Sequence, residues 1–455
     1  MNLEELENKS ILLYGKSRAF SSEEFDAQIK SHNISVVKDY SQDVVLVVDG
    51  RMMTPYEENS SEELYKKSKE SGSGLEFISI DVLEKELASH IDADVLLMSL
   101  KLSHDKDRLK SFLQNSMISD ELFLKLLKMY SWSGEDFFEN DDNRDVSAAL
   151  ILRFYKNIER NHNVQYSTLG LMHLVVQSKD GVLIEAISEL EPLVKSLKND
   201  NKDSKHSIIT AIATHHQTPE DVLRRFIKDS TPYVQTLVAM RKNCCLDMQQ
   251  SLYETQSEMV HEALSHNVNL DIEIVVKLLD NPKYAKNIAK NILLNDEIFQ
   301  MLLEDYKKEL AQNESLSPQM QERLVSYHDE DISIALASNE HLSMHVEAEL
   351  LCEDSHDINY AIYSNPNTSQ ERLEEAFSNK LNYIALANNE NTPIYILEIL
   401  AKSEDEKVLL GLAKNENTPI EILYQLQLDA RFERFVKENK SFGKHIQTQN
   451  IGWEV

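Results

Sequence analysis

ANNENTPIYIL (Ala387–Leu397) and AKNENTPIEIL (Ala413–Leu423) are nearly the same phrase, and they begin 26 residues apart. With the first Asn of N-E-N-T-P as a marker, the phrase runs back through Asn365 (YSNPNTSQERL), Asn339 (ASNEHLSMHVEAEL) and Asn313 (AQNESLSPQMQERL). It continues through Asn291 (AKNILLNDEIF), Asn267 (SHNVNLDIEIV) and Asn243 (RKNCCLDMQQSL). From Asn243 to Asn415 the steps are 24, 24, 22, 26, 26, 24 and 26 residues. His215 takes the marker's place in ATHHQTPEDVL, and Asn439 in KENKSF is a shortened last copy. Three residues after each full marker stands Thr or Leu, from Thr218 and Leu246 to Thr392 and Thr418, and two before it Ala is usual. A period that drifts while its internal register holds is the mark of a repeat array.

Each constant letter has a mechanical reading. Thr418 before Pro419, with Glu421 following, predicts an N-cap, a proline at the first helical position and a capping box. Thr368 with Glu371 repeats the box without the proline. Ile420, Leu423 and Leu426 share one helical face. The preceding EKVLLGLAKN (Glu406–Asn415) reads as a shorter helix whose Ala admits a close neighbour. Its Asn is expected to tolerate left-handed backbone at the helix end. A helix–turn–helix of this size cannot bury its own apolar face and must stack on copies of itself.

The phrase A-x-N-x-x-T-P-x-x-x-L resembles the variant leucine-rich repeat group, close to HEAT-type α-solenoids. The resemblance implies an all-α, right-handed solenoid of repeats about 25 residues long, expected over residues 206–442. Some members carry a cysteine cluster for an iron–sulfur centre. This chain has none, so no cofactor is expected. Residues 93–205 read as an irregular helical segment in which the solenoid starts: LQNSMISDELFLKLLKMY (Leu113–Tyr130) follows the same Asn-turn logic. Residues 133–145 (SGEDFFENDDNRD) read as an acidic loop, and 443–455 as a C-terminal tail.

The first 92 residues differ. SILLYGK (Ser10–Lys16), ISVVKDY (Ile34–Tyr40), DVVLVVDGRM (Asp43–Met52) and LEFISI (Leu75–Ile80) are strand-length apolar runs, separated by helical patterns. The order β-α-β-β-α-β-α predicts a small buried sheet covered by helices. That order, Gly15 after the first strand, the close middle strands and FISIDVLEKEL at the end resemble a BRCT domain. In phosphopeptide-binding members of that family, a Ser or Thr before the glycine and a Lys in the second helix hold the phosphate. Here Tyr14 precedes Gly15, and Lys66 and Lys67 are the lysines of the second helix. Gly15, Lys66 and Lys67 are therefore the candidate phosphate- or partner-binding residues.

Other motifs carry less. GKS (Gly15–Ser17) lacks the P-loop's earlier glycine, since Ser10 stands there. His341 and His345 are one turn apart but lack the Glu of H-E-x-x-H, so no metal is expected. Cys244, Cys245 and Cys352 form neither a disulfide framework nor a zinc pattern. No nucleophile–base signature stands out, and the reading is not an enzyme. Tyr360, Tyr363 and Tyr383, in the first helices of successive repeats, are candidates for an aromatic ladder on a binding face.

Bulk composition agrees. With 10 Gly and 9 Pro in 455 residues, long helices are favoured over a many-turned sheet. The 47 basic and 77 acidic residues give a formal charge of −30, which disfavours direct nucleic-acid or membrane contact and favours basic protein partners. The start MNLEELENKS has no basic, apolar leader pattern, so a cytoplasmic location is expected. The function expected is a non-enzymatic protein–protein interaction scaffold. A second reading is a DNA-repair or replication accessory factor acting through protein partners or direct DNA contact.

Overall fold

The structure is a computed structural model, and it describes residues 2–72, 74–134, 136–155, 162–199 and 203–448. It is mostly helical, with one four-stranded sheet near the N-terminus. The chain divides into two compact units, Met1–Val238 and Ala239–Val455. Among the described residues no helix is long and apolar enough to cross a membrane.

The first unit opens with the expected order: β1 (Ser10–Tyr14), α1 (Ser22–Ser31), β2 (Ser35–Val37), β3 (Val44–Asp49), α2 (Pro55–Ser71), β4 (Glu76–Ser79) and α3 (Ile80–Ser89). All pairings are parallel, in the order β2-β1-β3-β4. Consecutive residues Ile11 and Leu12, and likewise Val47 and Val48, have no exposed surface. Both faces of the inner strands are thus covered, so their sequences are apolar runs and not alternations. On one face Leu12, Tyr14, Val44 and Val47 pack with Leu64 of α2 and Phe77 of β4. The change in sequence character at residue 92 is not a break in packing. Phe20 meets Phe112 edge-on at 6.4 Å, and Arg108 Nε donates to Glu24 Oε2 at 2.9 Å.

The segment 133–145 is not a simple acidic loop. A helix, Asp141–Phe154, begins inside it, capped by Asn140, whose side chain accepts the Asn143 N–H. Phe137 is fully buried with its ring 5.2 Å from that of Trp132. Asn143, also fully buried, donates to the Ser133 and Asp136 carbonyls. The acidic letters dominate the composition, but one aromatic side chain decides where the segment goes.

In the second unit, first and second helices alternate, for example His356–Ser364 with Gln370–Ser378, Tyr383–Asn388 with Ile394–Leu400, and Glu406–Lys414 with Ile420–Gln427. The marker asparagines cap the first helices with extended backbone, φ −69° at Asn365, −81° at Asn389 and −68° at Asn415. The expected left-handed conformation is absent there, because the side chain and not the backbone is what the position uses. Asn415 Nδ2 donates to the carbonyls of Ala387 (3.0 Å) and Asn389 (2.8 Å), one repeat earlier. Asn389 does the same to Tyr363 and Asn365, Asn365 to Ala337 and Asn339, and Asn339 to Ala311 and Asn313. The shortened copy, Asn439, reaches Ala413 and Asn415. Each Oδ1 accepts from its own turn, as Asn415 does from the Asn417 N–H at 2.8 Å. The second Asn of N-x-N forms an outer rung: Asn367 donates to Glu340 O, Asn391 to Pro366 O and Asn417 to Glu390 O.

The threonines do a different job from the one their sequence suggests. Thr418 does not cap the helix after it; Pro419 occupies the N-cap position, with no side-chain cap. Thr418 Oγ1 donates backward to Leu412 O at 2.7 Å, satisfying a carbonyl that the first helix leaves open at its end. Thr392 and Thr218 repeat the bond to Leu386 O and Ile212 O. Thr368 bonds Ile362 O, and the cap of the following helix is Ser369, not a Thr368–Glu371 box.

Two markers also shift. Asn267 donates to Ala239 O and Arg241 O, so Arg241 and not Asn243 holds the marker position in that repeat. Cys244, and not Leu246, then takes the Thr position. It is buried, while Leu246 is 38% exposed. At the next turn but one, Ile292 caps the helix, and Asn291 turns back to Asn287 O in its own helix. A backbone bond, Leu293 N–H to Val268 O at 2.8 Å, spans the gap there. Of the expected C-terminal tail, 443–448 belong to the helix Lys440–Thr448, and 449–455 lie outside the described residues.

Asn389→Asp replaces a donor facing two carbonyls with an acceptor and is expected to destabilise the chain by about 3 kcal/mol. The same change at exposed Asn388 should cost less than about 1 kcal/mol; denaturant midpoints of the two variants check this. Burial pushes the Cys244 thiol up to about 12. Alkylation at neutral pH, mapped by peptide mass, should label exposed Cys352 and half-buried Cys245 well before Cys244.

Candidate functional site

In an open parallel sheet, ligands bind beyond the carboxyl ends of the strands, where the strand order reverses. Here that place is between β1 and β3, and Gly15 stands in it. The two loops close on each other: Lys16 and Arg51 exchange both backbone bonds at 2.8 Å, and Gly50 N–H donates to Tyr14 O at 2.8 Å. Gly15 has φ +69°, and a Cβ on it would lie 2.5 Å from Arg51 O. One on Gly50 would lie 2.4 Å from Tyr14 O. Both glycines serve this close approach of backbone to backbone.

The Gly15 N–H, which a bound phosphate would need, donates to Glu57 Oε1 at 3.1 Å. Glu57 is also the partner of Thr54 in the capping box that starts α2. Hydrogen bonds from the Thr54 N–H, the Gly15 N–H and the Thr54 hydroxyl hold its carboxyl below the usual range. The Gly15 N–H is thus already taken by a carboxylate of the protein. Lys66 and Lys67 lie nine and ten residues further along α2, roughly 14 Å of helix. Both are exposed and face Glu62 and Glu63 at 3.7 and 3.8 Å. Gly15, Lys66 and Lys67 are not brought together. The same loop is pinned from below by Glu84, fully buried, whose Oε1 accepts from the Ser17 hydroxyl and the Arg18 and Ala19 N–H groups. Neither Glu57 nor Glu84 is among the residues singled out from the sequence: Thr54-Pro55-Tyr56-Glu57 carries the letters of a capping box, whereas Glu84 has no local sequence signal.

The three tyrosines separate in the same way. Tyr360 is 39% exposed. Tyr363 is buried, and that burial, with the Glu375 charge, raises its hydroxyl pKa. Tyr383 is half-buried and stacks on Phe377 with ring centroids 5.7 Å apart. Only Tyr360 meets solvent broadly, and it lines a groove of about 470 Å³ between the first helices Glu330–Ala337 and His356–Ser364. Asp357, Tyr360, Ala361 and Ser364 form one wall at spacings i, i+3, i+4 and i+7, a single helical face. Ile334 and Ser338 form the other, with Pro366 at the turn end. Two layers further on the equivalent space is shut: a Cβ on Gly411 would lie 2.9 Å from Ala387 Cβ and 3.1 Å from Asn388 Nδ2.

A second hollow, about 610 Å³, lies in the first unit beside Asn115, Leu152 and Arg153. Asn115 makes the marker turn, accepting the Met117 N–H at 2.8 Å. Its buried Nδ2 has no hydrogen-bond partner among the described residues. Arg153 braces that turn through the Asn115 and Ile118 carbonyls. At His215 the ring Nδ1 replaces the Asn oxygen, accepting the Gln217 N–H at 3.2 Å. Among the described residues no three His, Cys, Asp or Glu side chains are grouped so as to hold a metal ion. Compared with known protein families the sequence matches no family model, and compared with curated proteins it matches none.

The Glu57 contacts carry a pH dependence. Its folded pKa lies below the unfolded value, so its contribution to stability is present above the ordinary carboxylate value of 4.5 and is lost as pH falls below it. Glu57→Gln should therefore flatten part of the loss of stability between neutral and acid pH, read from denaturant midpoints across that range. The same variant should not gain affinity for a phosphopeptide, because Lys66 and Lys67 remain out of reach.

Proposed function

We propose that this protein is a non-catalytic scaffold whose helical repeats form a variant leucine-rich/HEAT-like α-solenoid and hold protein partners in the cytoplasm. The observation that carries the reading is the unbroken run of side-chain rungs from Asn313 to Asn439. Such rungs keep successive turns in one register, so the first helices offer a long surface of fixed spacing and not a single deep pocket. The N-terminal sheet is read as a degenerate BRCT-like module. Its strand-end crevice is filled by Glu57 and by the Lys16–Arg51 bridge, which favours a supporting or partner-contacting role over phosphate recognition. The formal charge of −30 favours basic partners.

The test keeps the chain whole, because Glu24, Arg108, Phe20 and Phe112 tie the sheet to the helices after it. Partners captured from lysate on the full-length protein would be crosslinked and mapped by mass spectrometry. Crosslinks gathered on residues 239–448, weakening with salt, are the expected result. Turnover of a small-molecule substrate by the purified chain, with no partner retained, would sink the scaffold reading.

A further inference from the structure

From Asn339 to Asn439 the marker turns are built alike, yet the space between neighbouring first helices is not. Between Tyr383–Asn388 and Glu406–Lys414 it is closed by direct contact of small residues. Between Glu330–Ala337 and His356–Ser364 it is open, lined by the small residues Ser338, Ala361 and Ser364 and by Tyr360. Asp357, exposed in the first turn of its helix, stands at one end, and among the described residues no cation pairs with it. Among the described residues the buried Ser364 Oγ has no hydrogen-bond partner. The groove therefore combines an aromatic face, a lining of small side chains and a free carboxylate on a protein of charge −30.

Resting on the scaffold reading, we propose that this groove is the seat of a lysine or arginine side chain from an extended basic segment of a partner protein. An arginine stem is apolar along its methylenes and charged at its tip. Laid along the groove, the stem covers Ala361 and Ile334, the cationic head reaches Asp357, and the flat guanidinium or the stem rests on Tyr360. An anionic occupant, a phosphopeptide or a nucleic acid, would meet Asp357 and the net charge as repulsion. A volume of about 470 Å³ suits one long side chain and its neighbours better than a whole docked helix.

The test uses the full-length protein and a fluorescein-labelled nonapeptide alternating Arg with Ser and Leu, followed by polarisation. Binding should weaken about tenfold in Asp357→Asn and in Tyr360→Ala. It should also weaken about tenfold when citrulline, neutral and nearly the same shape, replaces each arginine. Ser338 is exposed, so Ser338→Phe should fill the groove with the melting temperature unchanged and block the probe. A photoreactive version of the probe should crosslink within residues 357–366. Equal binding of the arginine and citrulline probes, or full binding to Ser338→Phe, overturns the assignment. So does concentration-dependent dimerisation abolished by Ser338→Phe, since the occupant would then be a second copy of the chain. Each of these outcomes leaves the scaffold reading standing if native partners still crosslink elsewhere on residues 239–448. Loss of those native partners from the unmodified protein would instead be a failure of the scaffold reading.

Discussion

The second unit depends on one buried amide per layer. A helix leaves its last carbonyls unpaired, and stacking helices side by side takes those carbonyls out of water. The asparagine side chain repeats the chemistry of a backbone peptide, with a two-proton donor and an acceptor a short distance apart. Placed just past the helix end, its Nδ2 pairs two carbonyls of the layer before, and its Oδ1 pairs an N–H of its own turn. No other side chain supplies this at the same length: Asp loses the donor, Gln overshoots and Ser is too short. The exceptions follow the same logic. In the first unit His215 keeps the acceptor half through Nδ1, and in the second the Leu293 N–H supplies to Val268 O the bond that the Ile292 side chain cannot.

Once the rungs set the distance between turns, side-chain volume decides what lies between first helices. Ala387 and Gly411 let two helices touch, and nothing can enter. Ser338, Ala361 and Ser364 are equally small, but the bulk beside them, Tyr360, stands at the rim and not across the gap. The array is therefore regular in its turns and irregular in its surface. That division suits the scaffold reading proposed above, in which the fold is periodic and recognition is local. Thr392 and Thr418 belong to the periodic part, each closing a carbonyl of the helix before it. Asp357 and Tyr360 belong to the local part.

The N-terminal sheet makes the opposite use of small residues. Its glycines let the β1 and β3 loops meet backbone to backbone, and the carboxylates of Glu57 and Glu84 take up N–H groups that a ligand would otherwise claim. A place that could bind an anion has been made self-sufficient. The cost is two acidic side chains held in fixed positions. The gain is a loop pinned by two carboxylates, Glu57 at Gly15 and Glu84 at Ser17, Arg18 and Ala19.

Local and periodic information was legible without coordinates. The β-α-β-β-α-β-α order, the helix–turn–helix phrase and the importance of the marker asparagine all come from patterns of a few residues repeated along the chain. Which partner a polar side chain chooses was not legible. Thr418 has the letters of a cap but bonds backward, because Pro419 occupies the capping position and an open carbonyl lies closer. Asn243 has the letters of a rung but sits two places late, because only Arg241 follows the helix end at the right step. Gly15, Lys66 and Lys67 have the residue types of an anion site, and the length of α2 keeps them apart. The chain alone determined that layers repeat and which residues mark them. Tertiary structure alone decided which groups are paired and which are left open, since pairing depends on what the neighbouring layer brings within about 3 Å.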